Sequence, residues 1–177
     1  MNILSFGASA SKHSINKQFA HYVADQLGIY ETGKIDLIDF PLPIYTVDAE
    51  NENGFPANVH LFLEKVYSAD LIVISMAEHN GTYTTWFKNL FDWASRVNTK
   101  FFTDKKILLL STSPGPRGGI GALTAAEDRF PRHGAQIIST FSLPNFETNF
   151  KASEGILNKD LKIELEKIIS QVKKQEK

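Results

Sequence analysis

Five short apolar runs, each separated from the next by an amphipathic stretch, restrict this chain to an alternating β/α architecture. The runs span residues 3–6, 35–38, 71–74, 107–110 and 137–138. Three of them are almost wholly apolar, which is typical of parallel strands covered by helices on both faces. We therefore predict a sheet of five parallel strands, for which the common doubly wound order is 2-1-3-4-5.

Helical periodicity fills the intervals between the runs, and strands alternating with helices predict an α/β three-layer sandwich with right-handed crossovers. A weak stripe follows the fourth run at Leu123, Glu127 and Phe130. Three clear stripes of apolar residues are present. The first follows the first run and comprises Ile15, Phe19, Tyr22, Val23 and Leu27, and the second follows the second run and comprises Val59, Phe62, Leu63 and Val66. The third lies at the end of the chain and comprises Leu161, Leu165, Ile168, Ile169 and Val172.

Composition narrows the possible functions. The 177 residues suffice for a single domain, which we expect to span 1–177. A net charge of -1 offers no basic field for nucleic acid and no acidic field for a basic partner. The chain has no cysteine, so redox chemistry would require an organic cofactor. We expect a cytoplasmic protein without membrane contact, because no targeting pattern opens the chain and no apolar run approaches about 20 residues.

The longest stretch without periodicity covers residues 41–56. It has prolines near both ends and an acidic centre at 48–52. A solvated loop is the simplest interpretation of this composition. A lid over a binding site and a contact with a second subunit are the alternatives.

Small and hydroxyl-bearing residues connect the first strand to the first helix. Ser9, Ser11 and Ser14 supply hydroxyls, and the free N–H groups at a helix start attract anions. The combination suits a terminal phosphate, whereas the alternative is that Ser14 is an ordinary N-cap. The loop has neither a Walker Gly-Lys-Ser/Thr ending nor a Gly-x-Gly-x-x-Gly fingerprint, and the chain has no Gly-x-Ser-x-Gly hydrolase elbow.

A polar turn at His79, Asn80 and Gly81 follows the third strand. Asn80 and Gly81 are residue types that adopt positive φ, so the turn can present backbone groups to a planar ring. His79 would stack on that ring, and the alternative is an exposed loop histidine. No carboxylate or second histidine stands at metal-ligand spacing, and we expect no metal site.

The helix after this turn carries more aromatic surface than one face of a sheet requires. Trp86, Phe87, Phe91 and Trp93 fall within eight residues. Two interpretations remain open: a second buried surface at residues 86–97, such as a subunit interface, or ordinary core packing.

The loop after the fourth strand, residues 111–121, contains four glycines and two prolines. This composition implies close approach of another group to the backbone, although Gly/Pro loops are common. In the order 2-1-3-4-5 the first, third and fourth strands are neighbours. Their following loops should therefore meet at the edge where open α/β sheets bind ligands.

Three motifs together resemble the NAD(P)H-dependent FMN reductase family, the flavodoxin-like group that includes chromate, quinone and azo-dye reductases. Residues 8–16 resemble its phosphate loop, Gly-Ser-x-Arg/Ser-x-x-Ser-x-Asn. Residues 77–83 and 88–93 are similar to its Pro-Glu-Tyr-Asn-Gly-Ser…Leu-Lys-Asn-x-x-Asp-Trp segment, which is the most specific of the three. Residues 115–119 resemble its Gly-x-x-Gly-Gly.

The resemblance implies a flavodoxin-like fold that binds flavin mononucleotide (FMN). Three positions depart from the family pattern: Ser11, Ala77 and His79 stand where many members have arginine, proline and tyrosine. The residues that the resemblance assigns to the FMN phosphate are Ser9, Ser11, Ser14, Ile15 and Asn16. Those that it assigns to the rest of the cofactor site are Glu78, His79, Asn80, Gly81, Ser113, Gly115 and Gly118.

The implied activity is a ping-pong oxidoreduction. Hydride from NADPH or NADH would pass through FMN to a small oxidised acceptor such as a quinone, flavin, azo or nitro compound, without a catalytic side chain. Family members are dimers or tetramers, which implies a homodimer or homotetramer here. An electron-carrying flavodoxin is one alternative, and a fold-retaining interaction module without redox turnover is another. Two interpretations of Arg117 remain open. It would contact the phosphate of a nicotinamide nucleotide, or it is an ordinary exposed loop arginine.

Overall fold

A computed structural model describes residues 1–28 and 31–175. The strands are β1 (Asn2–Gly7), β2 (Glu31–Lys34), β3 (Leu71–Met76), β4 (Glu78–His79), β5 (Thr82–Tyr83), β6 (Lys106–Thr112), β7 (Gln136–Leu143), β8 (Phe150–Lys151) and β9 (Gly155–Ile156). The helices are α1 (Ile15–Leu27), α2 (Val47–Asn53), α3 (Ala57–Ser68), α4 (Thr85–Val97), α5 (Ile120–Arg129), α6 (Phe146–Asn149) and α7 (Lys159–Gln175).

The main sheet is parallel and runs in the order β2-β1-β3-β6-β7. This order confirms the predicted 2-1-3-4-5, since β6 and β7 are the fourth and fifth strands of that sheet. Two short antiparallel hairpins, β4–β5 and β8–β9, stand outside it. The carboxyl ends of β1, β3 and β6 therefore lie side by side, and the fold is flavodoxin-like.

Alternate residues of the strands enter two separate cores. Phe6 and Ile74 pack with α3, α4 and α5, whereas Ile3 and Val73 pack with α1 and α7 on the other face. Because both faces are covered, the central strands are buried along their whole length: every residue of β3 is buried. This burial explains the apolar runs that the sequence shows.

The predicted helical stripes face these cores. Val59, Phe62, Leu63 and Val66 of α3 are all buried, as are Leu165, Ile168, Ile169 and Val172 of α7. The prediction from the weak stripe after the fourth strand is only partly confirmed, since Leu123 and Phe130 are buried but Glu127 is exposed. Among residues 1–28 and 31–175, no helix has the length and apolarity that a membrane crossing needs.

The prediction for the second strand is wrong by four residues. The strand occupies Glu31–Lys34, and Ile35 adds one more hydrogen bond by donating to Ser5 O at 3.1 Å. Beyond it, Asp36 accepts from the N–H of Ile38 and starts a 3₁₀ turn at Leu37–Asp39. Leu37 is fully buried in the core between the sheet and α3. The apolar residues at 35–38 thus close the end of the core rather than form a strand.

The stretch predicted as a solvated loop, residues 41–56, contains the helix α2. Thr46 caps it by accepting from the N–H of Ala49 at 2.9 Å. The acidic residues Asp48 and Glu50 lie in its first turn, where the positive end of the helix dipole stabilises them. None of the helix's residues is fully buried. The sequence-based interpretation was therefore right about exposure and wrong about irregularity.

Candidate functional site

A cavity of about 280 Å³ opens at the carboxyl ends of β1, β3 and β6. It is lined by all three of the loops that follow these strands, so the predicted convergence is confirmed. The predicted site residues that line it are Ser9, Ser11, Ser14, Ile15, Asn16, Glu78, His79 and Ser113. Four further residues line the cavity that were not predicted as site residues, although Ala77 was noted as a departure from the family pattern: His13, Ala77, Thr112 and Pro114. Each of the four is the chain neighbour of a predicted residue.

The first loop brings hydroxyls to the start of α1. Ser14 caps the helix by accepting from the N–H of Lys17 at 3.1 Å, and Ser9 accepts from the N–H of Ser11 at 3.2 Å. The N–H groups of Ile15 and Asn16 come too early in the helix to have a carbonyl acceptor within it. No acidic residue lies in this first turn. The helix end therefore favours an anion in the cavity.

Asn16 joins the start of α1 to the carboxyl ends of two strands, β3 and β6. Its side-chain oxygen accepts from the hydroxyl of Ser75 at 2.7 Å and from the N–H of Thr112 at 3.0 Å. Its side-chain nitrogen donates to the carbonyl of Thr112, also at 3.0 Å. Asn16 is 4% exposed. The resemblance assigned this residue to a phosphate, whereas its amide holds the walls of the cavity together.

The turn after β3 is a tight hairpin. Asn80 and Gly81 form the two-residue loop between β4 and β5, with φ of 51° and 81°. Positive φ at both positions confirms the prediction for this turn and is the mark of a type I′ connection. Both residues are exposed at the tip and do not line the cavity. The exposed His79, on β4, does line it.

Glu78 caps a helix that belongs to a different element. Its carboxylate accepts from the N–H of Ala122 in the first turn of α5 at 3.0 Å. The N-cap residue of α5 is Gly119, which has no side chain to do this. Glu78 therefore lines the cavity and also stabilises the helix that follows the third loop.

The third loop is fixed by the residues that follow β7. The carbonyl of Ser113 accepts from the N–H of Phe146 at 3.1 Å, and that of Gly115 accepts from the N–H of Asn145 at 3.0 Å. Ser113 also donates its hydroxyl to the carbonyl of Gly115 at 3.2 Å. Ser113 lines the cavity, whereas Gly115 and the exposed Arg117 do not.

Gly118 is buried against β7, away from the cavity lining. It has a φ of 58°, and a Cβ there would lie 2.3 Å from the Ser142 hydroxyl and 3.1 Å from the backbone of Leu143. Its carbonyl accepts from that hydroxyl at 3.1 Å. Packing within the chain accounts for this glycine without a ligand.

The tryptophans of α4 are covered by the chain itself. Trp93 is fully buried and donates its indole N–H to the carbonyl of Pro43 at 2.8 Å. Trp86, half-buried, donates in the same way to the carbonyl of Leu37 at 3.0 Å. We call residues 37–50 the covering segment. Residues of the same chain therefore cover these aromatic side chains, as the core-packing interpretation of this helix expects.

Side chains at the far end of the covering segment hold it on α4. The ring of Tyr45 packs edge-on against Trp93, with centroids 5.1 Å apart. Its hydroxyl donates to Glu50 at 2.9 Å, and Arg96 pairs with the same carboxylate at 3.0 Å. Hydrogen bonds from Arg96 and Tyr45 hold the pKa of Glu50 below its usual value. The segment is therefore docked by both apolar and charged contacts.

A buried phenol lies behind the hairpin. Tyr83 of β5 packs edge-on against Phe87 at 5.6 Å, and no protein atom of residues 1–28 or 31–175 hydrogen-bonds its hydroxyl. Burial raises the pKa of Tyr83 well above its usual value. The phenol therefore stays protonated at neutral pH and contributes no charge to the neighbouring cavity.

Known proteins share this fold and parts of this sequence. The quinone reductase of Escherichia coli (strain K12) is 36% identical over 78 residues, which are 44% of this chain and 42% of that protein. The match thus spans less than half the length of that relative.

Two solved structures superpose on nearly the whole chain. A flavoenzyme NAD(P)H:(acceptor) oxidoreductase from Paracoccus denitrificans has a TM-score of 0.72 at 21% identity, covering 98% of this chain and 97% of that one. An FMN-dependent NADH-azoreductase from Bacillus anthracis, solved in complex with FMN, has a TM-score of 0.66 at 12% identity, covering 97% and 98%. At these identities the likeness establishes the fold alone. The sequence profile of NADPH-dependent FMN reductases, however, matches residues 1–148, and the chain therefore belongs to that family.

Proposed function

We propose that this protein binds FMN in the three-loop cavity and passes hydride from NADPH or NADH through it to a small oxidised acceptor. One observation carries the proposal. The hydroxyl-bearing start of α1 and the edge of the β4–β5 hairpin line the same cavity, at the carboxyl ends of neighbouring parallel strands. Membership of the FMN reductase family supports the same cofactor.

The residues present fit this cofactor. A phosphate would meet the hydroxyls of Ser9, Ser11 and Ser14 and the free N–H groups of the first helical turn. A planar ring would lie between His79 on the hairpin and Ser113 on the loop after β6, both of which line the cavity. Bound FMN would supply the chemistry, by taking hydride from a nicotinamide and giving it to an acceptor.

The side chains of the chain would bind and orient the cofactor. Ser11 and His79 are exposed at the cavity and free to meet a ligand, whereas Asn16 and Glu78 are engaged in holding the loops. No side chain needs to act as an acid or base. Replacing His79 by alanine should change flavin affinity or rate without abolishing reduction. Activity at background level with FMN fully bound would contradict this assignment.

The proposed class of acceptor is a quinone, flavin, azo or nitro compound. The Escherichia coli relative is a quinone reductase, which makes a quinone the first acceptor to test. NADPH and NADH should be compared as donors, with Arg117→Ala as a second protein. Arg117 is exposed and outside the cavity lining, so the variant should keep the donor preference of the wild type.

Flavin titration followed by turnover tests the proposal. The purified protein should be yellow or take up FMN on titration. It should then oxidise NADPH or NADH with a quinone present and no other protein added. Turnover that requires a separate reductase would favour an electron carrier, a class that the near-neutral net charge of -1 disfavours. A colourless protein that takes up no flavin would favour an interaction module.

We also propose that the protein forms a homodimer or homotetramer. Contact at α4 would be made through the covering segment, because that segment lies over the aromatic side chains of the helix. Ile44 and Val47 of the segment are 66% and 61% exposed. Sedimentation of Ile44→Asp should show smaller particles than the wild type. Leu157→Asp, which changes an exposed apolar residue on another part of the chain, is the matched control.

A further inference from the structure

His13 is an uncommitted side chain at the phosphate end of the cavity. It directly precedes Ser14, the N-cap of α1, and lines the cavity with Ser11. It is exposed, and its ring makes no hydrogen bond, ion pair or ring contact with the rest of residues 1–28 and 31–175. The ring is therefore free to turn toward a ligand.

The cavity has no permanently charged cation in its lining. Among the twelve residues that line it, Glu78 is the only acid, and the only groups able to become cationic are His13 and His79. The Glu78 carboxylate is bound to the N–H of Ala122.

Neither lysine at this end of the chain's first loop and helix, Lys12 or Lys17, lines the cavity. Lys17 forms an ion pair with Asp36 and donates to the carbonyl of Lys12. The side chain of Lys12 is exposed and does not line the cavity. The loop after β6 contributes no titratable side chain to the lining.

From this arrangement we infer that His13 is the side chain that selects a phosphorylated flavin over an unphosphorylated one. The inference rests on the proposed FMN site. Histidine is the residue whose charge changes between about pH 5 and 8, and a phosphate monoester is mostly a dianion above about pH 6. Imidazolium next to the dianion adds a charge-assisted hydrogen bond that neutral hydroxyls do not supply. The preference for FMN is therefore greatest on the acidic side of neutrality.

The test compares FMN with riboflavin, which has the same ring and no phosphate. Dissociation constants for both are measured with the flavin-free protein by quenching of flavin fluorescence, from about pH 6.5 to about pH 8. The ratio of the riboflavin constant to the FMN constant should fall roughly three- to tenfold over this range. His79 is on the hairpin, where the ring is proposed to lie, so any contribution that it makes applies to both flavins and leaves their ratio unaffected.

Two variants at position 13 separate charge from packing. His13→Gln should have a ratio that does not change with pH and equals that of the wild type near pH 8. His13→Arg, cationic at every pH used, should keep the high ratio throughout. His60→Gln changes an exposed histidine outside the cavity lining and should behave as the wild type.

The outcomes distinguish the two proposals. A His13→Gln ratio that follows the wild type at every pH would overturn the role of His13 while leaving FMN binding intact. Failure of the wild type to bind either flavin would overturn the proposed function itself. Because His13 is exposed, both variants should fold, and their urea unfolding curves check this.

Discussion

The side-chain amide of Asn16 makes two hydrogen bonds to the backbone of Thr112, one to its N–H and one to its carbonyl, both at 3.0 Å. The residues are 96 positions apart and join the start of α1 to the end of β6. A third bond, from the Ser75 hydroxyl, adds the end of β3. A single buried amide thus joins the start of α1, which follows β1, to the ends of β3 and β6.

Replacing Asn16 by alanine should lower the free energy of unfolding by about 2–4 kcal/mol, because three buried polar groups lose their partner. Asn16→Asp should be intermediate, since a carboxylate can accept two of these bonds but repels the carbonyl of Thr112. Urea unfolding measures the effect. Gln18→Ala, on the exposed side of the same helix, is the matched control. Equal stability of the Asn16→Ala and Gln18→Ala variants would contradict the assignment.

Removal of the Glu78 carboxylate should loosen the start of α5. Glu78→Ala should lose about 1–2 kcal/mol of stability, as expected for a lost helix cap. Glu78→Gln keeps an acceptor for the N–H of Ala122 and should lose less than 1 kcal/mol, the approximate worth of a charge at a helix terminus. Glu127→Ala, at an exposed position of α5, should match the wild type. An equal loss in both Glu78 variants would show that charge, not acceptance, is what matters.

Alanine substitution distinguishes two of the three glycines that the family resemblance assigned to the cofactor site, Gly115 and Gly118. Gly118→Ala should lose about 2–4 kcal/mol, from the left-handed backbone and the contact with β7. Gly115→Ala should be tolerated, since its Cβ would meet only the Ser113 hydroxyl at 4.0 Å. Thermal unfolding would show the difference. If Gly118→Ala instead unfolds like the wild type but binds FMN poorly, the glycine serves the ligand and not the packing.

The covering segment should dissociate from α4 more readily when the hydrogen bond between Trp93 and Pro43 is removed. Trp93→Phe removes the N–H that donates to the carbonyl of Pro43 and should reduce stability by about 1–3 kcal/mol. Limited proteolysis should then cut residues 41–56 faster than in the wild type. Lys88→Ala, on the exposed side of the same helix, should leave the digestion unchanged. Unaltered digestion of the Trp93→Phe variant would mean that other contacts suffice to hold the segment.

Stability should fall as the pH drops below about 6.5, the ordinary pKa of histidine. Burial lowers the pKa of His21, and the nearby Lys34 and Lys17 lower it further while Asp25 and Asp36 oppose them. The unfolded chain therefore takes up this proton at a higher pH than the folded protein, and acid favours unfolding until the folded pKa is reached.

Burial also lowers the pKa of His133, so two histidines contribute to this pH dependence. Urea unfolding from about pH 8 to about pH 5 should show a shallower acid decline in His21→Gln than in the wild type. The variant also loses the hydrogen bond to Ser5, so the slope with pH is the informative quantity rather than the stability itself. His60→Gln, an exposed control, should keep the full slope.

Local pattern was enough to predict the sheet and most of the helices. Runs such as residues 71–74 are apolar because strands in the middle of a covered sheet meet a core on both faces. The sequence also identified the loops that meet at the cavity, since the order of parallel strands determines which carboxyl ends are adjacent. The strand prediction at residues 35–38 was wrong because an apolar run indicates burial and not the type of backbone structure. The 3₁₀ turn at the end of the core buries Leu37 just as a strand would.

The sequence by itself determined the fold class, the family and the positive-φ turn at Asn80 and Gly81, because each depends on spacing or on local backbone preference. Only the tertiary structure decided what the side chains do. Asn16 and Glu78 hold loops together, Gly118 packs on β7, and Trp93 is covered by residues of its own chain. The physical reason is that a polar or aromatic side chain satisfies whichever partner folding brings to it, and those partners are tens of positions away along the chain.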